Sequence, residues 1–206
     1  MVTEKSKHPR IGILGGSFDP VHRTHVDLAE RARDALGLDR VLLIPAAHPP
    51  HKLDRRLSSD ADRLAMLKLA LEGREGLEVD DRELRRGGIS YTIDTVEDLL
   101  AQYPGAEIYL IIGGDNLADI AGWRRFPDLA RQVILVAFRR PGSPQDVPLA
   151  LRETPGLTME VLAAPLSAVS STEIRKRAAE GASLAGLVPP PVAEYIRRKR
   201  LYGANK

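Results

Sequence analysis

The chain has no cysteine among its 206 residues, which excludes disulfides, thiolate metal sites and a cysteine nucleophile. No apolar run approaches the roughly 18 residues that suggest a membrane span. The opening stretch, residues 1–9, is polar and lacks the apolar segment of a secretory signal, so a cytoplasmic location is expected. Excess charge of one sign is missing too: 30 Lys+Arg face 28 Asp+Glu, for a net charge of +2. The pI near 9.0 therefore comes from a nearly balanced chain and gives little support for a nucleic-acid partner. Internal repeats and low-complexity tracts are absent. So are two nucleotide signatures. Gly12-x-x-Gly15-Gly16 does not satisfy G-x-G-x-x-G, no acidic residue closes the 41–44 segment to hold a ribose, and no G-x-x-x-x-G-K-[ST] pattern occurs. Neither a dinucleotide-dependent dehydrogenase nor a P-loop kinase is favoured.

What is present is 43% hydrophobic residues, arranged in short runs separated by most of the 15 prolines and 17 glycines. Residues 11–14 form a first strand. A helix from about Thr24 follows, with Leu28, Ala32, Ala35 and Leu36 as its apolar face and Gly37 as its terminator. Residues 41–44 suit a strand buried on both faces. Strand, helix and strand within about thirty residues read as a βαβ unit. After a proline-marked loop, a helix over about 60–72 turns Leu64, Ala65, Leu67 and Leu71 inward. Residues 77–79, 108–112, 133–138 and 157–162 are further strands. Asp94 with Glu97 offers a capping box for a helix through Gln102, and Ser170 with Glu173 offers another for a helix through Ala179. Pro191 opens a last helix carrying Val192, Tyr195 and Ile196. The expectation is one doubly wound, Rossmann-like α/β domain over residues 1–206, with a parallel sheet, a flexible extension over 1–9 and a helical C-terminal part from about 165.

Such sheets bind ligands beyond the carboxyl ends of their strands, and the unusual residues fall there. Gly15 and Gly16 follow the first strand, Gly114-Asp115 a middle one, Arg139-Arg140 a later one. Glycines also serve tight turns, so neither pair alone decides anything. The run from Gly15 to His25 is more specific. Its glycines let backbone N–H groups approach a phosphate, and His22 and His25, three apart at a helix start, can face the same way. There they would stabilise charge on phosphate oxygens. At the other end, Ser171, Thr172 and Arg175 occupy the first turns of a helix, where free N–H groups, hydroxyls and a guanidinium make a polyphosphate clamp. The cap formed by Ser170 and Glu173 accounts for neither hydroxyl and not for the arginine. His48 and His51 repeat the H-x-x-H spacing, which leaves a metal-dependent hydrolase as a rival, although only Asp19 among the carboxylates is firmly tied to either pair. The basic run 197–200 reads as a solvated helix face.

Taken together these segments resemble the bacterial nicotinate mononucleotide adenylyltransferases, a family of the nucleotidyltransferase superfamily with an H-x-G-H signature. The likeness runs from Ile11 to Tyr202. It includes Gly15-Gly16-Ser17-Phe18-Asp19-Pro20-x-His22, Pro49-Pro50-His51-Lys52 and Ser90-Tyr91-Thr92-x-Asp94-Thr95. Gly113-x-Asp115, Trp123, Arg140-Pro141-Gly142 and Ser170-Ser171-Thr172-x-x-Arg175 follow in order. The resemblance implies AMP transfer from ATP to nicotinate mononucleotide within NAD biosynthesis, with Mg²⁺ on the ATP polyphosphate. It implies that Gly15, Gly16, Ser17, Phe18, His22, His25, Ser171, Thr172 and Arg175 bind ATP, and that His22, His25, Lys52 and Arg175 act on the phosphates. Lys52, Thr92, Asp115, Trp123 and Arg140 would hold the mononucleotide: Asp115 at a ribose hydroxyl, Trp123 stacked on the pyridine ring, Thr92 near its acid group. No metal is expected on protein ligands alone, and neither nucleic acid nor membrane is an expected partner. A homo-oligomer stays open. Related enzymes take nicotinamide mononucleotide or phosphopantetheine; the Ser90–Thr95 motif and Trp123 point away from the second. One departure stands out. The family's glycine between the histidines is Thr24 here, which either crowds the nucleotide passage or caps the helix.

Overall fold

The structure is a computed structural model and describes residues 8–50, 57–113, 117–139, 148–164 and 169–203. Six parallel strands form one sheet: β1 (Arg10–Gly16), β2 (Arg40–Pro45), β3 (Leu77–Val79), β4 (Glu107–Gly113), β5 (Ile134–Arg139) and β6 (Thr158–Ala163). Their order is β3-β2-β1-β4-β5-β6, so the chain winds outward in one direction from β1 and then in the other from β4. The direction changes between β1 and β4, and the crevice at that switch point is where such a sheet binds ligands.

Alternating strand residues build two cores. Leu14, Val41, Leu43, Tyr109, Ile111, Val136 and Phe138 face one way. Ile11, Ile13, Leu42, Ile44, Ile108, Leu110, Ile112 and Leu135 face the other. Burying each such aliphatic side chain contributes about 1.5–3 kcal/mol, which is why the central strands are continuous apolar runs. Gly12 is the gap in this pattern. A Cβ there would come within 2.9 Å of Leu38 and Val41 side chains, so its absence lets the first crossover pack down on the sheet.

The first core is covered by α1 (Arg23–Leu36), α2 (Asp60–Leu71), α7 (Ser171–Ala179) and α8 (Pro190–Lys199). The second is covered by α4 (Thr92–Gln102), α5 (Phe126–Ala130) and α6 (Leu149–Arg152). A short helix, α3 (Arg82–Arg86), which the sequence pattern does not announce, precedes α4. The N-termini of α1 and α7, which follow β1 and β6, lie at the carboxyl edge of the sheet, and so does that of α4, which follows β3 through α3. Part of each first turn's backbone N–H set is already bonded, as in Arg23 N–H to the Leu187 carbonyl and Glu173 N–H to the Ser170 hydroxyl.

Three expectations are corrected. In α1 the buried residues are Val26, Leu28, Ala29 and Ala32, whereas Ala35 is exposed. In α2 the inward stripe is Arg63, Met66, Leu67, Ala70 and Leu71, and Leu64 and Ala65 sit half-buried at its border. The Asp94–Glu97 capping box does not form: α4 begins three residues earlier, with Tyr91 at the cap position and Asp94 inside the first turn, where its charge favours the positive end of the helix. The cap at Ser170 is as expected, its hydroxyl accepting the Glu173 N–H at 3.2 Å. Pro190 and Pro191 fill the opening turn of α8, which buries Val192, Tyr195 and Ile196. Gly37 ends α1 in the left-handed region at φ 59°.

Candidate active site

The floor of the switch-point crevice is bare backbone. A Cβ on Gly15, at the end of β1, or on Gly113, at the end of β4, would meet nothing within 4 Å. Gly16 differs, for a Cβ there would lie 3.3 Å from the Phe18 ring. Gly15 thus leaves room for a ligand, while Gly16 leaves room for Phe18. Phe18 itself is buried at 1% exposure and takes a positive φ of 47°. Its ring meets His25 edge-on at 5.0 Å. The expectation that Phe18 contacts ATP therefore cannot apply to its side chain, which is core; only its backbone remains for that role.

The loop from Ser17 to Val21 is braced from behind. Arg63, fully buried, donates to the Ser17 carbonyl at 2.8 Å and to Asp60 at 2.6 Å. Arg175 donates to the Asp19 carbonyl at 2.5 Å, and Ser171 to the Pro20 carbonyl at 3.0 Å. The buried Asp19 carboxylate accepts from the Tyr202 hydroxyl at 2.7 Å and from the Ser58 N–H at 3.3 Å. Burial raises the Tyr202 phenol well above its ordinary range, so it stays a donor. A buried guanidinium such as that of Arg63 persists only when paired, and losing its partners costs several kcal/mol. Arg63 and Tyr202 escape sequence reading because nothing local marks them as buried.

His22 caps α1 and His25 is its third residue. The rings stack with centroids 3.6 Å apart and planes 21° apart. His25 Nδ1 accepts the His22 backbone N–H at 3.2 Å, so in the neutral imidazole the proton sits on Nε2, which is thereby a donor. His22 is 5% exposed, and burial lowers its pKa to about 4. At neutral pH it is an uncharged hydrogen-bonding group, not the standing positive charge that two histidines beside a phosphate suggest. Thr24 is not the cap. Its hydroxyl accepts the Val169 N–H at 3.3 Å and ties α1 to the segment leading into α7. Arg175 also donates to the Thr172 hydroxyl at 2.9 Å, which joins the first turn of α7 to the guanidinium that braces the loop.

On the other side of the crevice Thr92 is the first residue of α4, half-buried. Trp123 follows a short 3-10 turn, Ile120–Gly122, and packs with Tyr91 against the second core. Two neighbours hold this segment to α4: Arg124 lies over the Tyr91 ring at 4.4 Å, and Arg125 makes a two-pronged ion pair with Glu97 at 2.9 and 3.2 Å. Thr92 and Trp123 are thereby brought to one wall. Lys52, Asp115 and Arg140 lie outside the described residues, as does His51. His48 is exposed, with Nδ1 3.1 Å from the Gly88 carbonyl. Among the described residues no group of three or more His, Asp or Glu is placed to hold a metal ion.

Comparison with known proteins places the chain in a family and a fold. Residues 13–177 match the family described as cytidylyltransferase-like, which sets the class as nucleotidyltransferase. A curated relative from Pelobacter propionicus, named a probable nicotinate-nucleotide adenylyltransferase, is 40% identical over 94% of this chain and 98% of its own length. One of the same name from Opitutus terrae is 45% identical over 94% and 97%. The fold is also that of Plasmodium falciparum nicotinic acid mononucleotide adenylyltransferase complexed with NaAD, at a TM-score of 0.81 and 20% identity over 96% of this chain and 99% of that one. The chain belongs to the nicotinate-nucleotide adenylyltransferase family. No described helix is long and apolar enough to cross a membrane.

Proposed function

We propose that the crevice transfers the adenylyl group of ATP to nicotinate mononucleotide, giving nicotinate adenine dinucleotide and pyrophosphate. The observation that carries the reading is the pairing of an open glycine floor with two helix starts locked together through the Ser17–Val21 loop. Helix N-termini with free N–H groups attract anions, and two that converge suit a polyphosphate. His22, His25, Ser171, Thr172 and Arg175 hold the ATP phosphates, with Ser17 and the Phe18 backbone in the loop beneath them and Lys52 as a further phosphate ligand. Trp123 stacks on the pyridine ring, Thr92 faces its acid group, Asp115 holds a ribose hydroxyl and Arg140 the mononucleotide phosphate.

A phosphate monoester has its second pKa near ~6 and is largely dianionic at neutral pH, so it needs no general base. One of its oxygens bonds to the α-phosphorus of ATP as the α–β bridging bond breaks, and the electron pair leaves with pyrophosphate. Neither a covalent nucleophile nor a proton shuttle is required. The work is alignment and stabilisation of charge on phosphate oxygens. His25 Nε2–H and the Arg175 guanidinium are donors of that kind. Mg²⁺ bound to the ATP polyphosphate would supply shielding of its charge. This fits a donor set in which Asp19, the carboxylate of the loop, already has both oxygens engaged by Tyr202 and Ser58. Incubation with ATP and nicotinate mononucleotide, followed by chromatography, tests the reading. One pyrophosphate should form per dinucleotide; free AMP, or ADP with phosphate, would refute it.

A further inference from the structure

Behind the pyridine wall lies a buried polar network to which the reaction assigns no part. Glu83 of α3 is 7% exposed. Its carboxylate accepts the Thr95 hydroxyl of α4 at 2.6 Å and the Ser90 hydroxyl. Thr95 also accepts from Arg86 at 2.9 Å, and Arg86 is paired with Asp98. Ser90 in turn accepts the Ala47 N–H at 2.9 Å, directly beyond the end of β2. The same junction carries a parallel bridge between His48 and Ile89 and a hydrogen bond from Ser90 N–H to the His48 carbonyl at 3.0 Å. Ala46 N–H, one residue back, donates to the Gly16 carbonyl at 2.9 Å, so this strand exit is fastened to the phosphate loop as well.

We propose that Glu83 is a positioning residue for the mononucleotide: through Ser90 and Thr95 it fixes the β2 exit and the N-terminus of α4 as one rigid wall. A buried carboxylate is costly to keep, and burial does push the Glu83 carboxyl above the usual carboxylate range. An apolar residue would fill the space at α3 with less penalty. What the carboxylate supplies is two strong acceptors at a fixed separation, which orient the Ser90 and Thr95 hydroxyls so that their lone pairs remain for Ala47 N–H and Arg86. Thr92 lies between Ser90 and Thr95 in the chain, so its placement follows from theirs. The ATP side carries its own braces in Arg63, Arg175 and Tyr202, so losing Glu83 should weaken it far less, even though Ala46 ties the β2 exit to Gly16.

This inference rests on the nicotinate mononucleotide reading, and its test has two arms. In the first, E83A and S90A should each raise the KM for nicotinate mononucleotide by about tenfold, the scale of one lost charge-assisted hydrogen bond, with the KM for ATP changed by less than about twofold. E83Q, which keeps one acceptor, should fall between E83A and the unaltered enzyme. Equal rises in both KM values, or no rise, overturn the proposal. S90A keeps the Glu83 side chain and its bond to Thr95, and decides alone if E83A does not fold. In the second arm, hydrogen exchange of the Ala47 amide is followed without substrate, and E83A and S90A should each speed it by about tenfold or more. Unchanged exchange refutes the network whatever the substrate is. Faster exchange in an enzyme inactive on nicotinate mononucleotide upholds the network and refutes only the substrate.

Discussion

The two sides of the crevice are built in different ways. On the ATP side the residues expected to touch phosphate also hold the site together: Ser171 and Arg175 bond the carbonyls of the loop they would share with ATP, and His25 helps to cap the helix it starts. On the side proposed for the pyridine ring Thr92 and Trp123 are half-buried, and other residues hold them from behind, namely Glu83, Ser90, Thr95, Arg124 and Arg125. A side whose ligands are also its braces should lose stability and activity together when altered. A side with separate braces should let substrate affinity change alone.

The largest effect should come from His25→Ala. If His25 donates to the reacting phosphates as proposed, its removal should lower turnover by about 10²–10³. The lost bond to the His22 N–H should also cost about 1 kcal/mol of stability. Steady-state kinetics beside urea unfolding measure both. A full loss of turnover with unchanged stability would separate functions that the structure combines in one ring.

The pH dependence of folding sharpens the same contrast. His22 has its pKa lowered to about 4 in the folded chain, against an ordinary value near 6.5. Between these values the unfolded chain binds a proton that the folded chain does not. The stabilising contribution is thus complete above about pH 6.5 and is lost as pH falls toward 4, approaching about 3 kcal/mol. Urea unfolding at pH 7 and pH 4.5 should show the loss, and His22→Gln should remove most of it. An equal slope in the variant would assign the acid sensitivity elsewhere.

The smallest effect should be that of Thr24→Gly. Glycine in the first turn, with the bond to Val169 gone, should destabilise by about 1–2 kcal/mol. Relief of crowding should tighten ATP binding by no more than a few-fold. Thr24→Ser keeps the hydroxyl and should be near neutral in a thermal melt. Weaker ATP binding in Thr24→Gly, read by calorimetric titration, would mean that the tie from α1 to the α7 segment matters more than the space.

How far these features were legible in the sequence depends on how local their signals are. Strands buried on both faces leave unbroken apolar runs, and a cap such as Ser170 leaves a residue pair three apart, so both were readable. That His22 and His25 sit together at a helix start was readable from the two glycines that precede them. Asp94 and Glu97 carry the same spacing without forming a box, since the chain turns helical at Thr92 and tertiary packing of Ile93 and Val96 outweighs a local cap. Arg63 and Glu83 look like surface charges in sequence. Their burial is fixed by partners 46 and 12 residues away, which no local pattern records. Phe18 lies within a phosphate-loop motif, yet its positive φ turns the ring into the core.

The most direct measurement is a competition in one vessel: limiting ATP with equal nicotinate and nicotinamide mononucleotides, and both dinucleotide products quantified. A carboxylate accepts charge-assisted hydrogen bonds worth about 1.5–3 kcal/mol where a neutral amide gains less, so the acid product should exceed the amide product by roughly ten to a hundred and fifty. Pyrophosphate should equal the sum of the two products. Equal yields, an excess of the amide product, or ATP consumed without any dinucleotide would contradict the account.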